Sequence, residues 1–297
     1  MLGRPRGGRS SLSILRWCLN NGLQVVRRAG GAAKHAATAS HRGRLALAAG
    51  AAIGIVPMPI ASPEYAPAVL QLGLSERGRS IDISCFDSGG SADDEVALIV
   101  GGIHTGTEAV TIDLARELMD DFSTGRLVPP STVTVCILPE FNPDGRALGV
   151  HTNANGVDLN RNWPSEDWQS DAWHPETGPV SAGHVPLSEA ETQVLHSFLE
   201  VARPSAVMVL HCCGSLVEAN RQADAVFMAR RYASATGFDY LNSWNFYDIS
   251  GEFIDAMDEL GIPAMDIELS NSGETGLDGH RAGLRAALDY LSERPRR

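Results

Sequence analysis

In the 297-residue sequence, four apolar runs end in polar groups. His104 stands just past the run 96–100, Asn142 and Asp144 follow 132–138, His211 follows 206–210, and Glu268 lies near the end of 264–269. Short runs that are β-branched or apolar almost throughout read as strands buried on both faces. In open α/β sheets, ligands collect outside the carboxyl ends of the strands, so these groups are placed to converge. A catalytic zinc takes three protein ligands, imidazole and carboxylate among them, and keeps a fourth position open for water. The candidate ligands are His104, Glu108 and His211. The bland alternatives are a helix-start acid favoured by the dipole for Glu108 and a structural imidazole for His211. Amide cleavage also requires a proton shuttle. Asp266 and Glu268, two residues apart in one run, fall on the same face and leave that role open between them. Cys212 and Cys213 would compete for a soft metal. Consecutive strand residues point to opposite faces, so at most Cys213 shares the side of His211.

The elements that must hold these groups alternate in type. Residues 80–86 and 96–100 read as strands. Val110, Leu114, Leu118 and Phe122 then recur at every fourth position, with Ile112 and Ala115 widening the stripe, which predicts an amphipathic helix. Ser188 with Glu191 predicts a helix N-terminus closed by a capping box, its apolar face running through Val194, Leu195, Phe198 and Val201. Residues 223–235, 252–260 and 281–291 read as further helices, and 206–210 and 264–269 as strands. Such alternation specifies an α/β sheet with helices on both faces.

Residues 139–164, PEFNPDGRALGVHTNANGVDLNRNWP, are polar and rich in turn dipeptides. They read as one long ordered loop without an element of its own, anchored by Val157, Leu159 and Trp163. Structureless loops of this length are usually functional or disordered. The pattern NPDG followed by NxxGVDLNRNxP resembles the zinc carboxypeptidase family, most closely its short bacterial branch, the murein tripeptide amidases. GLSERGRSI (73–81) is similar to the family's GxSxxGRxI segment, and GHVPLSEAETQVL to the bacterial branch.

The resemblance implies a single α/β domain with a mixed, mostly parallel twisted sheet. It implies Zn2+ held by His104, Glu108 and His211, with Glu268 as general base and acid for a zinc-activated water. Asp158 corresponds to the acid that hydrogen-bonds a ligand imidazole, Asn160 and Arg161 to the pair that holds a terminal carboxylate, and Tyr247 to a mobile capping tyrosine. An Asx-turn is the alternative for Asp158 and simple packing for Tyr247. There are two departures. Three residues separate His104 from Glu108 where the family has two, and His151 stands where the family carries an oxyanion-stabilising Arg. Loss of such a donor costs about 10²–10³ in rate, which leaves a protonated His151, or Arg146, to replace it.

The activity implied is removal of the C-terminal residue from a short peptide with a free carboxylate, such as a cell-wall tripeptide cut at its γ-D-glutamyl–diaminopimelate bond. An aspartoacylase- or succinylglutamate-desuccinylase-type amide hydrolase would share the metal set. A wall-peptide-binding protein with impaired catalysis would account for the two departures. Asp248, Glu252 and Asp255, near Tyr247, either favour a basic side chain or are simply solvated.

The net charge of −12 is unevenly spread. Nine of the 24 basic residues and none of the 36 acidic ones precede Glu64, leaving 15 basic against 36 acidic in the remainder. An acidic body excludes nucleic acid as the partner. The organisation read from this is a basic, low-complexity leader (1–44), an apolar segment with linker (45–70) and a catalytic domain (71–297). Residues 45–56 are too short to span a bilayer, which takes ~20 apolar residues. They read either as a signal-peptide core with Ala61-Ser62 as the cleavage zone, placing the protein in the cell envelope, or, in a cytoplasmic protein, as a leader from an over-long start assignment or a buried hairpin. Membrane contact is expected only through this segment. Five cysteines without a C-x-x-C pair do not read as a disulfide framework. Cys85 and Cys136 are expected to be small buried apolar residues.

Overall fold

The computed structural model describes residues 66–89, 94–174 and 178–295. The leader, the apolar run 45–56 and the Ala61-Ser62 zone lie outside them. Along the chain come β1 (Ala68–Leu74), β2 (Ser80–Phe86), β3 (Glu95–Val100), a 3-10 turn (Gly106–Glu108), α1 (Val110–Thr124), β4 (Val133–Leu138) and α2 (Pro143–Leu148). A short hairpin, β5 (Asp171–His174) and β6 (Gly178–Ser181), precedes α3 (Ala190–Ala202) and β7 (Ala206–Cys212). Then follow β8 (Leu216–Ala219), α4 (Ala223–Thr236), β9 (Asp239–Leu241), α5 (Phe253–Leu260), β10 (Ala264–Leu269) and α6 (Leu277–Glu293).

Eight strands form one mixed sheet in the order β1-β2-β4-β3-β7-β10-β8-β9. The centre, β4-β3-β7-β10, is parallel, whereas β1, β2 and β8 join antiparallel and β9 pairs parallel with β8. The strict alternation of side chains along a strand divides the core in two. Ala97, Ile99, Val135, Ile137, Met208 and Leu210 face α1, α4 and α6, with Leu114, Phe122, Met228 and Leu288 packed on them. Leu98, Val100, Cys136, Leu138, Val207 and Val209 face the other way, toward α3 and α5 and the apolar anchors Phe141, Leu159 and Trp163 of the long loop. Both faces of the central strands are therefore dry, as their unbroken apolar runs require.

Three expectations are corrected. Residues 139–164 are not free of regular structure: Asn142 caps the single-turn helix α2, its side chain accepting from the Gly145 N–H at 2.8 Å. The Asn-Pro-Asp-Gly signal marks a helix start here because Pro at the first helical position loses no needed donor. Ser188 is not the N-cap of α3; that place falls to Glu189, which makes no side-chain cap bond. The Ser188 hydroxyl is committed elsewhere, accepting from Asn162 Nδ2 at 3.0 Å and donating to Glu189 Oε1 at 2.6 Å.

The third concerns cysteine. Cys85 and Cys136 are buried as expected, yet they are joined by a disulfide. The antiparallel pairing of β2 with β4 sets the two directly opposite one another, a relation that a spacing of 51 residues does not reveal. Cross-linking a loop of that length stabilises by roughly 4 kcal/mol on the chain-entropy account. The double variant Cys85→Ala/Cys136→Ala should therefore lose about 2–4 kcal/mol in urea unfolding. An unchanged midpoint would show that this bond contributes nothing.

Candidate metal centre

β3, β7 and β10 are adjacent and parallel, so their carboxyl ends share one edge of the sheet. That edge carries His104, His211 and Glu268, the last two directly paired in register. Beyond β3 the chain turns at Gly102, whose φ is +66° and where any Cβ would strike Ile112. The extra residue between His104 and Glu108 is taken up in the 3-10 turn Gly106–Glu108 that leads into α1, and Glu108 still reaches the centre.

His104 Nδ1 lies 3.1 Å from Glu108 Oε1, and His211 Nδ1 lies 3.5 Å from Glu108 Oε2. One ligand atom from each of the three residues falls within 4.8 Å of the others. His104 Nδ1 is buried and faces Glu108 without hydrogen-bond geometry, and it has no other partner among the described residues. Buried polar atoms are rarely left so; with Glu108 and His211 gathered around it, the arrangement fits a cation between the three. The far nitrogen of His104, Nε2, sits 2.8 Å from Asp158 Oδ1. Donation of Nε2–H to that carboxylate leaves Nδ1 as a lone pair aimed at the centre, the usual arrangement behind a metal-binding imidazole.

The electrostatics agree. Burial opposes a charge on His104, but Asp158 and Glu108 outweigh it and raise its pKa to about 10. Burial would raise Glu108 and Asp158, yet His104 above all holds both below the usual carboxylate range. His211, by contrast, is kept neutral by burial. The centre thus demands positive charge and offers neutral imidazole beside carboxylate, the donor set of a catalytic zinc.

A cleft of about 540 Å³ opens over this centre, lined among others by Glu268, Asn160, Arg161 and Tyr247. Arg161 is only 1% exposed, and its Nε has no partner among the described residues. The long loop is pinned beneath it at Gly251, where a side chain would collide with the Arg161 carbonyl. Asn160 is held by the Phe253 N–H at 3.0 Å and donates to Glu252 Oε1 at 3.3 Å. Tyr247 packs edge-on against Trp173 and Trp244. Burial, with the charge on Glu108 adding to it, raises the Glu268 pKa to about 8.

Not every expected residue arrives. Arg146 reaches away to Glu140, 3.3 Å from its Oε2, and does not line the cleft. Asn142 serves as a helix cap, and Asp144 binds the Arg77 N–H and the Arg79 guanidinium. His151 stacks on His104 at 3.8 Å between ring centroids, with Nδ1 3.7 Å from Glu108 Oε1 and Nε2 3.5 Å from Asp158 Oδ2. Of the three acids near Tyr247, Glu252 lines the cleft and Asp248 and Asp255 do not. Cys212 and Cys213 both line it, but neither sulfur is in the group of ligand atoms gathered at the centre.

Sequence reasoning passed over His174, which the β5–β6 hairpin places 4.4 Å from the His151 ring and in the cleft wall. In sequence His174 follows Ala172 and Trp173 with no motif around it. Asp266 joins Glu268 in the cleft, as their shared face required.

Residues 64–285 match the zinc carboxypeptidase family over three quarters of the chain. This chain belongs to that family. It is 31% identical to murein peptide amidase A of Escherichia coli K12 over 146 residues, 45% of this chain and 56% of that protein, so it spans little more than half of that relative's length. The Vibrio campbellii counterpart is 26% identical over 65% of this chain and 77% of its own. Among solved structures, the murein-tripeptide amidase of E. coli O157 superposes with a TM-score of 0.61 at 23% identity, covering 79% of this chain and 96% of that one. An aspartoacylase-family protein from Mesorhizobium loti reaches 0.53 at 20% identity, over 77% and 68%. These last two likenesses show a shared fold alone.

His104→Ala and His211→Ala should each abolish stoichiometric zinc uptake by elemental analysis, whereas Glu268→Gln should keep it. Asp158→Asn should weaken zinc affinity about 10–100-fold. Zinc retained by both alanine variants would remove these imidazoles from the ligand set.

The cleft acids also set a pH dependence. Burial first, then Glu218 and Asp255, raise the Glu252 pKa from 4.5 to about 8. A carboxyl group raised in this way supports the fold fully below its unfolded pKa and withdraws that support as pH climbs through the folded value. In chelated protein, Glu252→Gln should therefore match the parent near pH 4.5 and melt higher at pH 8.5, by roughly 2–4 °C for each kcal/mol regained. An equal difference in melting temperature at the two pH values would contradict this.

Proposed function

We propose that this chain is a zinc-dependent carboxypeptidase that releases the C-terminal residue of a short peptide, its substrate class being murein-type tripeptides that end in a diamino acid. The observation that carries the reading is the presence, in one cleft, of the His104–Glu108–His211 cluster, the Glu268 carboxyl group and the buried, half-satisfied Arg161. Zinc bound there would polarise the scissile carbonyl and acidify a water.

The remaining work falls to the protein. Arg161, with Asn160 beside it, offers a planar fork to the terminal carboxylate, the geometry in which guanidinium groups bind carboxylates bidentately. Glu268 takes a proton from the attacking water and returns it to the leaving amine; a carboxyl group raised toward neutrality is suited to both steps. Tyr247 and its aromatic neighbours exclude water from the outer side of the cleft. His151 stands where the family carries its arginine, packed on His104 and close to Asp158 and Glu108 but outside the cleft lining, so it acts by supporting the His104 ring.

Export to the cell envelope accompanies this reading. Structural disulfides persist in oxidising compartments, and the basic leader followed by an apolar run supports the same address. Contact with a membrane would come only through that leader.

The test is mass-spectrometric product analysis on L-Ala-γ-D-Glu tripeptides ending in lysine or diaminopimelate, on ordinary peptides and on N-acetylated amino acids, with and without chelator. Chelator-sensitive release of the third residue from a tripeptide is expected. Turnover confined to N-acylated amino acids would favour an aspartoacylase-type activity. Bound zinc without any turnover would favour a wall-peptide-binding protein.

A further inference from the structure

The floor of the cleft is built from acids that the hydrolytic step does not use. Asp266 lies two residues before Glu268 on the same face of β10, and Glu218 sits directly opposite it on β8. Glu252 stands at the start of α5 on the far wall. All three are 6% exposed, and Asp266 and Glu252 line the cleft itself. Asp266 Oδ1 is wholly buried without a hydrogen-bond partner among the described residues, while Oδ2 lies 4.0 Å from His211 Nε2, beyond hydrogen-bond reach. Glu252 receives one long bond from Asn160, and Glu218 one from the Trp244 N–H. After burial itself, Glu252 and Glu218 oppose ionisation of Asp266, and Glu218 opposes that of Glu252.

The cations needed to balance these groups are scarce. Arg161 is the single arginine lining the cleft, and it faces the terminal carboxylate; the chain's one lysine is Lys34. Buried charges are kept only when paired. We infer that the pocket for the released residue selects a side chain ending in a lone ammonium, seated on Asp266 and Glu252 with Glu218 behind them. The class is lysine, ornithine or a diamino acid whose distal carboxyl is amidated. A free distal carboxylate, as in diaminopimelate, would meet three acids and no cation. This rests on the carboxypeptidase reading for its orientation, since Arg161 must hold the α-carboxylate for the side chain to reach the floor.

The competing role for Asp266 is to orient His211, which would not distinguish lysine from its isostere norleucine. The experiment is calorimetric titration of the zinc-loaded full chain with L-lysine, L-norleucine and meso-diaminopimelate. Lysine should bind at least about tenfold more tightly than either of the others, as expected for a charged hydrogen bond. In Asp266→Asn the lysine-to-norleucine ratio should fall below about threefold, and in Asp248→Asn, an exposed position outside the cleft, it should not change. Glu252→Gln supplies the same comparison should Asp266→Asn fail to fold. Norleucine binding as well as lysine, diaminopimelate binding better than lysine, or an unchanged ratio in the floor variants would each overturn the inference. A chain that cleaves no peptide but keeps the order lysine over norleucine would overturn the hydrolase and leave the pocket standing.

Discussion

A surplus of buried carboxylates governs this molecule. Glu108 and Asp158 are held below the usual carboxylate range against their own burial, chiefly by the His104 ring between them. Further along the cleft, Asp266 and Glu252 are pushed toward neutrality by burial, with Arg161 and Asn160 only partly offsetting this at Glu252. Charge inside a protein is tolerated when it is paired or coordinates a metal. The first group is arranged as a metal site would be, the second as the receptor of an organic cation. Every other feature of the cleft can be understood as holding these two sets apart while keeping both within reach of Glu268.

That separation comes from the sheet. Parallel neighbours deliver their carboxyl ends to one edge, so residues more than a hundred positions apart, His104 and His211, meet without any special contact between their loops. The antiparallel insertion of β8 beside β10 then adds Glu218 opposite Asp266 and extends the acidic floor away from the metal end. The long loop contributes from above: its apolar anchors Phe141, Leu159 and Trp163 are fully buried, which fixes the polar residues between them. From this mostly irregular segment Asp158 therefore backs the His104 ring and Arg161 faces the cleft.

Much of this was legible because buried parallel strands leave dense apolar runs with conspicuous polar ends. The runs at β3, β4, β7 and β10 were read within one or two residues, and the groups at three of those ends do meet. The fourth end misled: Asn142 and Asp144 look the same in sequence, but a capping bond and Arg79 consume them. Local signals failed wherever tertiary partners intervened. Ser188 was an apt cap until Asn162 claimed its hydroxyl, and Cys85 looked like filler until strand register set it against Cys136. β8 and β9 are three or four residues long and carry no periodic pattern to detect. Arg146 sits close in sequence to His151, yet α2 turns it outward onto Glu140.

The central claim is that two imidazoles and one carboxylate share a single cation while the neighbouring sulfurs stay out of its coordination. X-ray absorption at the zinc edge of the loaded full chain tests this most directly. Nitrogen and oxygen scatterers at about 2.0–2.2 Å, including two imidazole signatures, are predicted. A sulfur shell at about 2.3 Å, or the absence of imidazole scattering, would contradict the account.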